Sequence, residues 1–124
     1  MNHKLRTVIV EDNMVARMIL ENYCKNHPEI ELLEDFDNVQ EARNFLNHEK
    51  VDLVLLDIQL RDSSGFDLLK YLPANTQVIV TTGSSANIKE AEEHGLTNCL
   101  LKPITLEDFL VSIKKLDPLA HEII

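Results

Sequence analysis

Five short apolar runs alternate with stretches of helical spacing, and that alternation decides what this chain can fold into. The barest run is Leu53-Val54-Leu55-Leu56. Its side chains are apolar without a helical period, which suits a strand covered on both faces, as in a parallel sheet. Thr7 to Val10, Val78-Ile79-Val80 and Cys99-Leu100-Leu101 read the same way. Glu31-Leu32-Leu33-Glu34 with Phe36 is more polar and reads as an edge strand. Strands alternating with helices argue for an α/β fold with helices on both faces of a parallel sheet. Right-handed crossovers then restrict it to a few doubly wound orders.

The helices are read from spacing and end signals. Val15, Met18, Ile19 and Tyr23 recur at helical intervals, with Asp12 or Asn13 as the cap and a stop near Asn26, ahead of Pro28. Asn38-Val39-Gln40-Glu41 resembles a capping box that opens a helix with Val39, Ala42, Phe45 and Leu46 on one face. A short helix with Phe66, Leu68, Leu69 and Leu72 follows a polar loop containing Asp62 and Gly65, and Pro73 breaks it. A polar helix closes at Gly95, a C′ glycine. Thr105 opens a last helix with Leu106, Phe109, Leu110, Ile113 and Leu116 along one stripe.

Four strands end in a chemically useful group: Glu11-Asp12, Asp57, Thr82 and Lys102. In a parallel sheet those ends share one edge, outside which ligands of open α/β sheets bind. Carboxylates gathered there repel by about 4 kcal/mol per pair at 4 Å and an effective dielectric of 20. A cation must sit among them. Hard oxygen ligands without His or Cys suit Mg²⁺, or Mn²⁺ in its place. With a metal, a lysine and a hydroxyl around an aspartate, the chemistry points to phosphoryl transfer onto Asp57.

Composition sets the limits. The size fits one compact domain, and 44% hydrophobic with 27% charged residues fits a globular chain. A net charge of −9 disfavours direct contact with nucleic-acid phosphates. No run approaches a membrane span and no signal peptide is evident, so the expectation is a cytoplasmic protein without a membrane partner. Cys24 and Cys99 have no metal-ligand spacing and read as reduced, buried thiols. Asp62 and Asp67 read as loop and surface acids, and His3, His27, His48, His94 and His121 as surface histidines.

Val8-Ile9-Val10-Glu11-Asp12-Asn13, Leu55-Leu56-Asp57-Ile58-Gln59-Leu60, Val80-Thr81-Thr82-Gly83 and Leu100-Leu101-Lys102-Pro103-Ile104 stand in the order of one family. The chain resembles the receiver domain of bacterial two-component response regulators over nearly its whole length. The resemblance implies a single domain over residues 1–124, with its core from 5 to 116 and a short tail. The implied fold is flavodoxin-like, a five-stranded parallel sheet in order 2-1-3-4-5. It makes Asp57 the phosphoacceptor. Glu11, Asp12, Asp57 and the backbone carbonyl of Gln59 become the metal ligands, and Thr82, Gly83 and Lys102 the phosphoryl-binding and switch residues. The Lys102-Pro103 peptide is expected to be cis. The twenty positions from Thr82 to Lys102 resemble the spacing in LytTR-type regulators.

Two positions depart from the family pattern. Arg61 replaces the usual proline, so a looser loop is expected after Asp57. Cys99 replaces the aromatic switch residue, so threonine movement cannot couple to an aromatic rotation. Gln59 and Ser84 occupy positions that tune dephosphorylation in the family.

The implied partner is a sensor histidine kinase or phosphotransfer protein. The implied output is a downstream protein, an output domain elsewhere in a longer regulator, or a phosphorylation-dependent homodimer. The expected role is a signalling phosphoacceptor that assists its own phosphorylation and dephosphorylation, and not a turnover enzyme. Two rivals come from other classes. One is a degenerate receiver that binds a partner without phosphorylation. The other is a Mg²⁺ phosphohydrolase, disfavoured because Gln59 stands where a second catalytic acid is needed and a cap domain is missing.

Overall fold

The computed structural model describes residues 4–61 and 63–116. His3, Asp62, His121 and the tail after Leu116 lie outside the described residues. Ten elements alternate along the chain: β1 Leu5–Val10, α1 Met14–Lys25, β2 Ile30–Phe36, α2 Val39–Leu46, β3 Leu53–Asp57, α3 Phe66–Leu69, β4 Gln77–Thr82, α4 Ser85–Glu93, β5 Cys99–Leu101 and α5 Leu106–Lys114. The strands form one parallel sheet in the order β2-β1-β3-β4-β5, as expected. The more polar β2 is an edge, and the bare β3 is central.

Side-chain alternation along each strand divides the core in two. Leu5, Ile9, Leu53 and Leu55 pack with Leu20 and Cys24 of α1 and with Phe109 and Ile113 of α5. Val8, Val10, Val54 and Leu56 point the other way, onto Ala42 and Leu46 of α2 and Leu68 of α3. Val80 and Ile58 meet Ala91 of α4 in a smaller cluster. β3 is fully buried along its length, which is what four consecutive apolar side chains require.

The β1–β2 register slips between Thr7 and Val8, where Leu32 and Glu34 are successive partners and Leu33 is passed over. This bulge restores Phe36 to the α2 side beside Leu33, although the two are an odd number of positions apart. Phe36 then meets Phe45 with ring centroids 5.3 Å apart.

The caps follow the sequence signals. Asn13 accepts the Ala16 N–H at 2.9 Å, which settles the choice of cap and leaves the Asp12 carboxylate free for other partners. Asn38 accepts the Glu41 N–H and donates its amide to the Glu41 carboxylate, and Thr105 accepts the Asp108 N–H. Gly95 adopts φ +83°, the left-handed conformation that ends α4. Lys102-Pro103 is cis.

Two helices differ from expectation. On α1 the buried residues are Leu20 and Cys24, while Val15 and Met18 are 66% and 58% exposed. The helix carries apolar side chains around most of its girth, so spacing marks a stripe without saying which stripe faces the sheet. Tyr23 is half-buried, and its hydroxyl donates to the Ile104 carbonyl at 2.9 Å. On α5, Phe109 and Ile113 enter the core while Leu106 and Leu110 face outward. No helix among the described residues is long and apolar enough to cross a membrane.

Candidate functional site

Strand register delivers the acids to one edge. Val10 is the partner of Leu56, so Glu11 falls beside Asp57, and Asp57 is itself the partner of Thr81. Thr82 pairs with Leu101, and the Lys102 N–H donates to the Thr82 carbonyl at 2.7 Å. By alternation Glu11, Asp57 and Lys102 continue the rows of Ile9, Leu55 and Leu100 on the α1/α5 side.

Lys102 binds both buried acids. Its Nζ lies 3.0 Å from Asp57 Oδ2 and 2.6 Å from Glu11 Oε1. Glu11 is fully buried; its Oε2 accepts the Asn13 N–H at 3.0 Å. Its Oε1 is partnered by the Lys102 ammonium in that short charged contact. Burial is the largest influence on Glu11 and, with Asp57 alongside, raises its pKa against the pull of Lys102. Burial works to lower the pKa of Lys102, but its contacts with Glu11 and Asp57 outweigh that and raise it.

Asp57 accepts the Gln59 N–H on Oδ1 at 2.8 Å, so the backbone after the strand folds back onto the carboxylate. Gln59 then bridges to Ser64. Asp12, at the mouth of the site, accepts the Arg61 backbone N–H at 2.6 Å, and Arg61 Nε stands 3.4 Å from the same oxygen. A proline at position 61 would have no N–H, whereas Arg61 ties the loop across to Asp12.

The donor set passes a chemical test for a divalent cation. One oxygen each from Glu11, Asp12 and Asp57 can lie within 4.8 Å of the others. All are hard ligands, and a carboxylate oxygen paired with an ammonium, as Glu11 Oε1 is, keeps a lone pair for a cation. Mg²⁺ fits these residues.

Thr82 stands on the opposite row, towards α4. Its Oγ1 accepts the Ser84 N–H at 3.2 Å and the Asn87 side-chain amide at 3.1 Å, and reaches towards Gln59 Oε1 at 3.5 Å. Ser84, the N-cap of α4, makes no side-chain capping bond, so the Thr82 hydroxyl anchors that turn instead. Gly83 borders open space, with nothing within 4 Å of where a Cβ would be. Cys99 is half-buried, in contact with the Leu96 carbonyl at 3.6 Å. Cys24 is fully buried, and neither cysteine is in a disulfide.

The sequence matches the response regulator receiver domain over residues 7–114. The chain belongs to that family. Among its relatives, this receiver domain is 31% identical over 114 residues to the sensory transduction protein LytT of Bacillus anthracis, covering 90% of this chain and 46% of that protein. It is 32% identical over 111 residues to an uncharacterized response regulatory protein of Shewanella oneidensis, covering 87% of this chain and 47% of the relative. The receiver domain thus spans less than half the length of these relatives. The response regulatory domain of protein mrkE from Klebsiella pneumoniae has a similar crystal structure, with a TM-score of 0.82 at 25% identity over 94% of this chain and 98% of that one.

Three contributors to the receiver site were not singled out for it in the sequence. Arg61 and Asn87 contact Asp12 and Thr82 as described. The third is Gly65, where a Cβ would lie 2.3 Å from the Asp57 carbonyl oxygen. The glycine stood in plain view as a loop residue, but only the folded loop brings it behind Asp57. Of the histidines, His94 stacks on Phe66 at 4.4 Å, His27 meets the edge of Phe109, and His48 bonds the Asn44 carbonyl. They form no ligand cluster among the described residues.

Proposed function

We propose that this receiver domain takes a phosphoryl group onto Asp57 from a phosphohistidine of a sensor histidine kinase or phosphotransfer protein, as a signalling switch. The observation that carries the reading is Asp57 Oδ2 held 3.0 Å from Lys102 Nζ at an edge shared with Glu11 and Asp12. In the transfer, an Asp57 carboxylate oxygen attacks phosphorus, the phosphorus–imidazole bond breaks, and the leaving nitrogen keeps the electron pair and picks up a proton. Lys102 orients the Asp57 carboxylate before transfer and offers its protons to the phosphoryl oxygens afterwards. Glu11 and Asp12, with Asp57 and the Gln59 carbonyl, would hold Mg²⁺ or Mn²⁺. The metal supplies charge neutralisation for phosphoryl oxygens and carboxylates alike. Thr82 supplies a hydroxyl from the other row, and open space at Gly83 admits the group.

The donor's docking place follows from α1. Its exposed Met14, Val15 and Met18 begin directly after Asp12 and Asn13. A cleft of about 350 Å³ runs from Lys102 and Ile104 to Val15 and Ile19, joining the apolar face to the site. An apolar helix face of a kinase or phosphotransfer protein fits it. The output is a changed preference for a downstream protein or a second copy of the chain, for which exposed Leu101 and Val111 offer contact area. The domain acts as a phosphoacceptor that assists its own modification, without substrate turnover.

One substitution favours a second reading. Cys99 at the aromatic position supports a receiver that binds a partner independently of phosphorylation. Incubation with acetyl phosphate separates the two, read as intact mass with and without Mg²⁺ and in Asp57→Asn. A single Mg²⁺-dependent adduct, absent in the variant, supports the phosphoacceptor. Absence of an adduct, together with no binding of beryllofluoride, overturns it.

A further inference from the structure

The two cations of the site approach its three acids from opposite sides. Lys102 holds Glu11 and Asp57 from within, its side chain 22% exposed. Arg61 holds Asp12 from solvent: its side chain is 79% exposed while that of Asp12 is 11% exposed. Besides the amide bond at 2.6 Å and the Nε contact at 3.4 Å, its Nη2 lies 3.5 Å from the Asp12 carbonyl oxygen. Arg61 thus faces Asp12 with an amide that fixes the carboxylate's direction and a guanidinium that offsets its charge.

We propose that Arg61 is a built-in counter-ion of the acidic site, lowering its affinity for a divalent cation and so setting the Mg²⁺ concentration at which Asp57 becomes competent. The inference rests on the reading of Glu11, Asp12 and Asp57 as a metal site. Its two parts act in opposite directions. The backbone N–H orients Asp12 and is kept by any residue except proline. The guanidinium puts a positive charge beside the place a dication would occupy, and the two repel. Because the guanidinium is largely exposed, water and salt screen the repulsion, which limits the effect to roughly three- to tenfold in affinity.

Mg²⁺ binding to the full chain can be measured by calorimetry and by Mg²⁺-dependent melting, neither of which needs phosphorylation. The comparison takes wild type, Arg61→Ala, Arg61→Gln and Arg61→Lys, with Asp12→Asn as the site control. Both charge-free variants are expected to bind roughly three- to tenfold more tightly, and Arg61→Lys to stay near wild type. The gap should shrink at about 0.5 M KCl, where screening extends over only a few ångströms. If Mg²⁺ binds, is lost in Asp12→Asn, and Arg61→Ala and Arg61→Gln bind no more tightly, the counter-ion role is overturned and the metal site stands. If wild type binds no Mg²⁺, or Asp12→Asn binds it equally well, the metal site falls and the role of Arg61 falls with it.

Discussion

Gly65 lies so close behind Asp57 that a Cβ there would be 2.3 Å from the Asp57 carbonyl oxygen and 2.8 Å from Ile58 Cα. The Gly65 N–H also donates to the Ile58 carbonyl at 3.2 Å, so the loop closes directly onto the strand end that carries Asp57. Gly65→Ala cannot be absorbed by a side-chain rotation, because both obstacles are backbone. It is expected to destabilise the domain by about 3 kcal/mol, the upper end for overpacking. Urea unfolding measures the loss, and acetyl phosphate labelling under folding conditions should slow with it as Asp57 shifts.

Substitutions should separate the exposed face of α1 from the acids at the sheet edge. Val15→Asp with Met18→Asp changes side chains that are mostly in solvent, so stability should move by no more than about 0.5 kcal/mol. Transfer from a cognate kinase should fall at least roughly tenfold, equivalent to about 1.4 kcal/mol of docking. Labelling by acetyl phosphate, which needs no docking, should stay within about twofold. Equal losses with both donors would place the defect in the site and remove the docking role of α1.

Burial pushes the Cys24 thiol up from 9.0 to about 12. In the unfolded chain it ionises near the ordinary value, so between those limits the unfolded state has released a proton that the folded state keeps. Stability from this thiol is therefore complete below about pH 9 and is lost as pH rises towards 12, about 4 kcal/mol in all. Urea midpoints at pH 8, 10 and 11 should fall more steeply for wild type than for Cys24→Ala, in which other alkaline titrations remain. Cys99 is half-buried, its thiol raised by burial and by Glu92, and should react first with a thiol reagent.

Much of the architecture was legible because parallel strands announce themselves. Leu53 to Leu56 has no polar interruption, and a residue such as Asp57 or Lys102 at the end of such a run marks the sheet edge. The edges of legibility are equally physical. Spacing on α1 found the Val15–Met18–Ile19 stripe, but Leu20 and Cys24 are the residues turned to the sheet. Helical periodicity carries no sign, and on a helix apolar around most of its girth only tertiary packing supplies one. Arg61 was read through what it replaced. Its contact with Asp12 spans 49 positions of sequence, and a backbone amide leaves no trace in residue chemistry. Gly65 and Asn87 escaped for the same reason, since loop closure and the first turn of α4 bring them to their partners.

The first turn of α4 is moored through a single rotatable side chain. Ser84 contributes no capping oxygen, and both its N–H and the Asn87 amide end on Thr82 Oγ1. Rotation of Thr82 about its Cα–Cβ bond withdraws the acceptor from both donors at once. The turn must then find other partners or move with the hydroxyl. In this chain the strand-end hydroxyl and the first turn of α4 are one hydrogen bond apart.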